Sequence, residues 1–316
     1  MTKGRRLSIA FISLSVLVAA YLGICWHILN ILITPERKSQ QPPTEDEFGV
    51  QQIRPISFES LTDRTQLQGW LIPSETRKAI ILLHGLHSHA WNCQTADLAQ
   101  AYASEGFSVF LFDLRGHGRS EGDYLGLGQL EKGDLQAAVD VLLEDGFRPG
   151  QIGVHGTSYG AAVTLLAVDE IEAVGAVVAD SAFADMSDVV SGELKRQTGL
   201  PPFASRLLLP GLSILGQHQY GVDITQSIPE ESIGQIAPRP ILLIHGDQDE
   251  VIPYSHGQRL QTAAAPQTEL WTLPVKHVEG VQLLPECRPA PTRDAFLTKV
   301  TQFFDEHLSA GGIAAE

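Results

Sequence analysis

A serine hydroxyl attacks a carbonyl well only when a histidine takes its proton and a carboxylate orients that histidine. The chain offers one serine in a setting suited to the task. Ser158 stands in HGTSYG, residues 155–160, between Gly156 and Gly160. Before it, Ile152 and Val154 alternate with small or polar residues, which suits a short strand. After it, the residues up to Ala167 are rich in helix formers with an apolar face. A sharp strand-to-helix turn brings backbone segments together, and flanking glycines remove the Cβ atoms that would clash. Gly156 to Gly160 therefore match the G-x-S-x-G nucleophile elbow. Three fixed residues also arise by chance, so the reading depends on whether partners follow in the right order.

The partners belong where strands end. The apolar run in ILLIHGDQDEVIP ends at Gly246, leaving Asp247, Asp249 and Glu250. Asp249 is the candidate acid, because Val251-Ile252-Pro253 can lock the loop behind it. Asp247 reads as a turn cap, and Glu250 stays as an alternative. The chain has 11 histidines. His277, in LWTLPVKHVEG, follows the last apolar run and completes the order Ser, Asp, His expected for this elbow. His256 and His307 read as structural. Two backbone N–H groups must then face the developing oxyanion. Tyr159, just after the serine at a helix N-terminus, supplies one, and Leu86, just after LLHG, supplies the other. His84 reads as a structural residue of that loop. His84, His87 and His89 alternate, but no acidic residue or cysteine joins them in a ligand pattern. Neither a metal nor another cofactor is expected.

The elements that must hold these residues follow from hydrophobic periodicity. Strands are expected over 53–60 and 66–72, joined by a turn at Thr62-Asp63, and over 79–83, 108–112, 174–179, 241–244 and 270–273. Helices are expected over 92–104, 127–145 and 294–308. Strands that are apolar on both faces and alternate with helices predict an α/β fold. Its mostly parallel central sheet is covered on both sides, with an antiparallel hairpin at one edge. Residues 185–238, rich in leucine and proline, interrupt the alternation. They read as a small helical cap over the sheet's C-terminal edge, where open α/β sheets bind ligands, or alternatively as a packing insertion.

In order along the chain, LLHGLHSH, FDLRGHGRSEG, GVHGTSYGAA, IHGDQDEVIP and KHVEG resemble the α/β-hydrolase superfamily. The likeness is greatest to its esterase, thioesterase and serine-aminopeptidase-like branch, which includes members with one N-terminal membrane helix. It covers residues 53–308. The resemblance implies an α/β-hydrolase fold with Ser158, Asp249 and His277 as triad. It also implies that Asp113 and Arg115 hold a structural turn. An ester or thioester substrate is the leading expectation. An aminopeptidase or amide hydrolase with the same triad is the alternative, with Asp185, Asp188, Glu193 and Asp223 available to hold an α-ammonium group. A non-catalytic scaffold is a third. The fold alone does not name a substrate. One segment departs from the pattern: VEGVQLLPECRPAPTRD after His277 is long and proline-rich. It is expected to narrow the entrance or shift the base.

Net charge of -15 argues against a nucleic-acid partner, and none is expected, since phosphate binding needs clustered lysine and arginine. The 27 residues Leu7–Ile33 carry no charged side chain, against about 20 needed to span a bilayer. Residues 1–34 therefore read as a transmembrane anchor, or alternatively as a signal peptide cleaved near Val18-Ala19-Ala20. Lys3, Arg5 and Arg6 bias the N-terminus to the cytoplasm and the remaining chain outside it. Residues 35–52 read as a linker, 53–308 as the hydrolase domain and 309–316 as a tail. Of the 3 cysteines, Cys93 and Cys287 read as buried free thiols, or as a disulfide in an oxidising compartment.

Overall fold

The structure is a computed structural model and describes residues 3–38, 41–42, 45, 52–199 and 201–309. Most of the linker expected over 35–52 and of the tail over 309–316 lies outside the described residues. The chain opens with one long helix, α1 (Lys3–Ile33). Two strands follow, β1 (Arg54–Glu59) and β2 (Gln66–Ile72). Then β3 (Ala79–Leu83), α2 (Cys93–Ser104), β4 (Ser108–Phe112), α3 (Glu131–Glu144), β5 (Ile152–Thr157), α4 (Tyr159–Ala167) and β6 (Val174–Asp180) alternate.

Helices occupy the insertion: α5 (Met186–Thr198), α6 (Pro202–Arg206), α7 (Leu209–Tyr220) and α8 (Pro229–Ser232), with 3-10 turns at Ile224–Gln226 and Ile233–Ile236. The alternation resumes with β7 (Ile241–Gly246), α9 (Ser255–Ala263) and β8 (Glu269–Leu273). A two-stranded hairpin, β9 (Gln282–Leu283) and β10 (Arg288–Pro289), precedes the last helix, α10 (Arg293–His307).

Eight strands form one sheet in the order β1-β2-β4-β3-β5-β6-β7-β8. The β1–β2 hairpin joins antiparallel to β4, and every pair from β4–β3 to β7–β8 is parallel. Period-two alternation divides the strand side chains between two apolar layers. Ile81, Leu83, Val154, Val177 and Leu243 face one layer, with α3, α4 and the cap. Ile80, Leu82, Val109, Val178 and Leu242 face the other, with Tyr102, Phe296 and Phe304 from α2 and α10. Each such side chain contributes roughly 1.5–3 kcal/mol on burial. A sheet clad on both faces is why the sequence runs read as continuously apolar rather than alternating.

Two expectations need correction. Helix α3 starts at Glu131 and not at Leu127. The Glu131 carboxylate accepts the N–H groups of Gly126 and Gly128, so residues 126–130 form a loop folded onto the helix start. Cys93 and Cys287 are not free thiols but a disulfide, with Cα atoms 5.9 Å apart. The β9–β10 hairpin folds back over the first turn of α2, where Arg293 also meets Asp97 at 2.7 Å.

Helix α1 is not detached from the rest. Its last three turns pack against α7, with Cys25, Leu29 and Ile33 fully buried. The Tyr21 hydroxyl donates to Leu207 O (2.9 Å) and accepts from Gly211 N (3.0 Å), and Leu125 N donates to Ile33 O. The first part of α1 is bare, with Leu7, Phe11, Leu14 and Leu17 exposed.

Candidate active site

Ser158 sits between β5 and α4 with φ 54° and ψ -115°. A non-glycine residue in that region costs of order 1–3 kcal/mol and persists only where its surroundings fix it. Here they do. Ser158 N donates to Asp180 O at the end of β6 (2.7 Å). A Cβ on Gly156 would lie 2.4 Å from Gly160 O, and one on Gly160 would lie 2.6 Å from the carbonyl oxygens of Leu83 and His84. The two glycines of the elbow are thus demanded by contact between backbones, as the sequence pattern implied.

The serine hydroxyl lies 2.8 Å from Nε2 of His277, and Nδ1 of His277 lies 2.6 Å from Oδ2 of Asp249. The second contact puts the imidazole proton on Nδ1 and leaves the Nε2 lone pair for the serine. Asp249 is buried, and its other oxygen accepts the N–H groups of Val251 (2.9 Å) and Ile252 (2.8 Å). Asp247 and Glu250 are exposed and take no part. The long segment after His277 does not displace the base. The Gln94 side chain donates to Val278 O, and Cys287 is bonded to Cys93, so this segment is fastened to α2.

The loop after β3 passes beside the serine. A Cβ on Gly85 would lie 3.3 Å from Ser158 Cβ, which places the Gly85-Leu86 backbone against the nucleophile. Tyr159 opens α4, so its N–H has no acceptor within the helix and lies at the positive end of the dipole. Its phenol is held by Gly128 N at 3.0 Å.

Two buried histidines and an aspartate pin the loop. His84 Nε2 accepts from Leu114 N (3.1 Å), so its Nδ1–H donates to Gly85 O (2.8 Å). His117 Nε2 accepts from His87 N (3.2 Å), and its Nδ1–H donates to Arg115 O (2.9 Å). Each ring must stay neutral to play both parts. Burial pulls the pKa of His84 down to about 4 and that of His117 to about 3. Asp113 accepts from Ala90 N (2.7 Å) and Arg119 N (2.9 Å), and burial raises its pKa. Arg115 is itself held by Asp134 (2.6 Å) and Asp63 (2.8 Å). Asp113 and Arg115 therefore hold the turn that the resemblance implied.

Three neighbours escaped the sequence reading. His117 gave a weak signal in FDLRGHGRSEG. His245 Nε2–H donates to Ile252 O (2.8 Å) and lies 3.5 Å from Asp249 Oδ2, with its pKa lowered by burial. Asp180 is buried beside His277 and Asp249 and accepts from Ser181 Oγ (2.9 Å). Burial raises its pKa from 3.8 to about 7.

The four acidic residues named for an α-ammonium group are all engaged elsewhere. Asp185 caps α5 by accepting Ser187 N (2.7 Å), and Asp188 pairs with Arg259 (2.7 Å). Glu193 pairs with Arg196 (2.6 Å), and Asp223 accepts Thr225 N (2.9 Å). A hollow of about 230 Å³ lined by Pro240, Glu269, Lys299 and Glu306 lies at the N-terminal ends of β7 and β8, the edge opposite Ser158. It holds none of the residues just described.

Comparison with known proteins adds a family. The profile of Hydrolase_4, described as serine aminopeptidase, S33, matches residues 74–232. The Escherichia coli O157:H7 protein YfhR is 31% identical over 219 residues, covering 67% of this chain and 69% of YfhR. The Pyrococcus furiosus esterase Pf2001 superposes with a TM-score of 0.68 at 25% identity, covering 88% of this chain and 99% of the esterase. A Mycobacterium tuberculosis puromycin-hydrolyzing peptidase shares the fold, with a TM-score of 0.62 at 19% identity, over 83% of this chain and 40% of its own.

Proposed function

The chain belongs to the serine aminopeptidase S33 family of α/β-hydrolases, and from that premise we propose that it is a membrane-anchored serine hydrolase acting on a carboxylic ester or thioester. The observation that carries the proposal is the unbroken hydrogen-bond chain from Ser158 through His277 to the buried Asp249. Ser158 Oγ attacks the substrate carbonyl while its proton passes to His277 Nε2. Asp249 steadies the imidazolium, and the N–H groups of Leu86 and Tyr159 take the charge on the carbonyl oxygen. The leaving group departs with the proton from His277. Water, activated by the same histidine, then cleaves the acyl-enzyme.

Ester is preferred to peptide because the acidic groups expected to receive an α-ammonium are occupied by Arg259, Arg196 and backbone N–H groups. Pf2001, named an esterase, favours the same choice. Helix α1 supplies the anchor, with Lys3, Arg5 and Arg6 on the cytoplasmic side and the hydrolase domain across the membrane. A Cys93–Cys287 disulfide fits an oxidising compartment there.

Labelling with a fluorophosphonate probe tests the assignment. Wild type is expected to react, and Ser158→Ala and His277→Ala are expected not to. Folded wild type that resists the probe would return the chain to the scaffold reading. A panel of esters, thioesters and peptides with free or blocked N-termini then decides the substrate class.

A further inference from the structure

We infer that the tip of the cap, α6 with the start of α7, is embedded in the same bilayer that α1 spans; the inference rests on reading α1 as an anchor. Three observations carry it: the register between two helices, the length of the bare helix, and where the exposed apolar side chains lie.

Helices α1 and α7 run side by side in the same direction. Tyr21 is level with Leu207 and Gly211, Cys25 with Leu208, and Asn30 with Tyr220. N-terminal to Tyr21 the helix meets no part of the cap, and its apolar stretch there, Leu7 to Ala20, is about 14 residues or ~21 Å long. The hydrocarbon core of a bilayer is ~30 Å thick. A perpendicular helix therefore needs about six more residues inside it, which brings the boundary to Trp26.

Trp26 is half exposed, and a tryptophan ring favours the headgroup level. With the boundary at Trp26, everything level with Tyr21 lies roughly 5–10 Å below it, the depth at which interfacial helices bury their apolar faces. Leu207 occupies that level, Phe203 stands one turn before it with its carbonyl accepting Leu207 N, and the two are 66% and 70% exposed, respectively. Ile214, farther along α7, is 64% exposed and lies near the boundary itself. The exposed guanidinium of Arg206, between Phe203 and Leu207, sits on a stem long enough to reach the headgroups. The bare apolar surface of the cap is thus continuous with the bare apolar surface of α1, and a lipid leaflet is the one occupant that covers both.

The test uses the full chain in phosphatidylcholine nanodiscs. In a Cys25→Ser background, single cysteines are placed by Phe11→Cys, Phe203→Cys, Leu207→Cys and Leu61→Cys. Each is labelled with an environment-sensitive fluorophore and quenched by lipids that carry a nitroxide high on the acyl chain. Retained fluorophosphonate labelling identifies folded variants, and Leu61, exposed in the β1–β2 connection, is the water reference. Blue-shifted emission and at least twofold stronger quenching at 203 and 207 than at 61 is the expected result. Emission from 11 that is blue-shifted, with 203 and 207 as wet as 61, would overturn the embedded cap and leave the anchor standing. Water-like emission at all four positions would overturn both readings.

Discussion

Below Ser158 and above it, the protein is held together by different forces. The floor consists of the elbow and the loops after β3 and β4. Its backbones approach so closely that Gly156 and Gly160 leave no room for a methyl group. Its loops are tied by buried polar side chains, His84, Asp113, Arg115 and His117, each with named partners. The roof consists of α5 to α8. Its polar contacts include the part-buried pairs of Asp188 and Glu230 with Arg259, and its α7 packs against α1, nearly two hundred residues earlier in the chain. A floor of this kind tolerates almost no displacement, because close-packed backbone and unpaired buried polar groups both penalise it steeply. A roof of apolar helices can shift or change sequence at smaller cost.

The largest effect should fall at the centre of the floor. Ser158→Ala is expected to lower hydrolysis by roughly 10⁴-fold or more while leaving the circular dichroism spectrum unchanged, because the hydroxyl is needed for chemistry and not for packing. His277→Ala should lose a comparable factor, and the double variant little more. Additive losses would mean that the two do not act as a unit.

Next is the covalent tie. Cys93→Ala with Cys287→Ala opens a ring of 194 residues, and the chain-entropy estimate for its loss is about 5 kcal/mol. Urea unfolding should show the loss, with hydrolysis falling alongside it because the segment after His277 is released from α2. A shift in the midpoint below a tenth of a molar would show that the tie is redundant.

Gly160→Ala forces a methyl group against two carbonyl oxygens and should destabilise by about 3 kcal/mol. The contrasting substitution in the roof is Gly192→Ala, on the exposed side of α5 with nothing within 4 Å of the added methyl. It should stabilise by roughly 0.5–1 kcal/mol, because glycine within a helix costs about that much. Equal effects from the two alanines would dissolve the distinction between floor and roof.

Asp180 gives the subtlest test. Its pKa is about 7 when folded against 3.8 as the reference, so between those values the native state holds a proton that the unfolded chain has lost. Stability from this group falls as pH rises through that window and levels off above it. Asp180→Asn removes the dependence, so the variant should gain on wild type steadily from pH 4 to pH 7.5 in paired urea titrations. A constant difference would mean that Asp180 ionises like an exposed carboxylate.

The floor was the more legible part in sequence, and its steric character is the reason. Backbone contact demands glycine, so Gly156 and Gly160 advertise the turn that the structure forms. The choice of Asp249 over Asp247 and Glu250 followed from the apolar residues behind it, and it alone of the three reaches His277. His117, His245 and Asp180 were not legible, because their partners come from strands and loops adjacent only across the sheet. The start of α3 was misjudged because Leu127 fits an apolar helix pattern. A periodicity argument does not register the Glu131 side chain folding back onto Gly126 and Gly128. The cap was legible as composition only. Nothing in its leucines indicated that α1 would lie against it.

The single disulfide also bears on how the chain is made. Cys93 emerges from synthesis long before Cys287, with β4 through β8 still to come between them. During that interval the one other thiol already made is Cys25, and pairing with it would strand Cys287. In the finished protein Cys25 is out of reach, buried in an apolar setting where α1 packs against α7. A protease that nicks any one loop between residues 93 and 287 releases no fragment, because both pieces stay tethered through the bond.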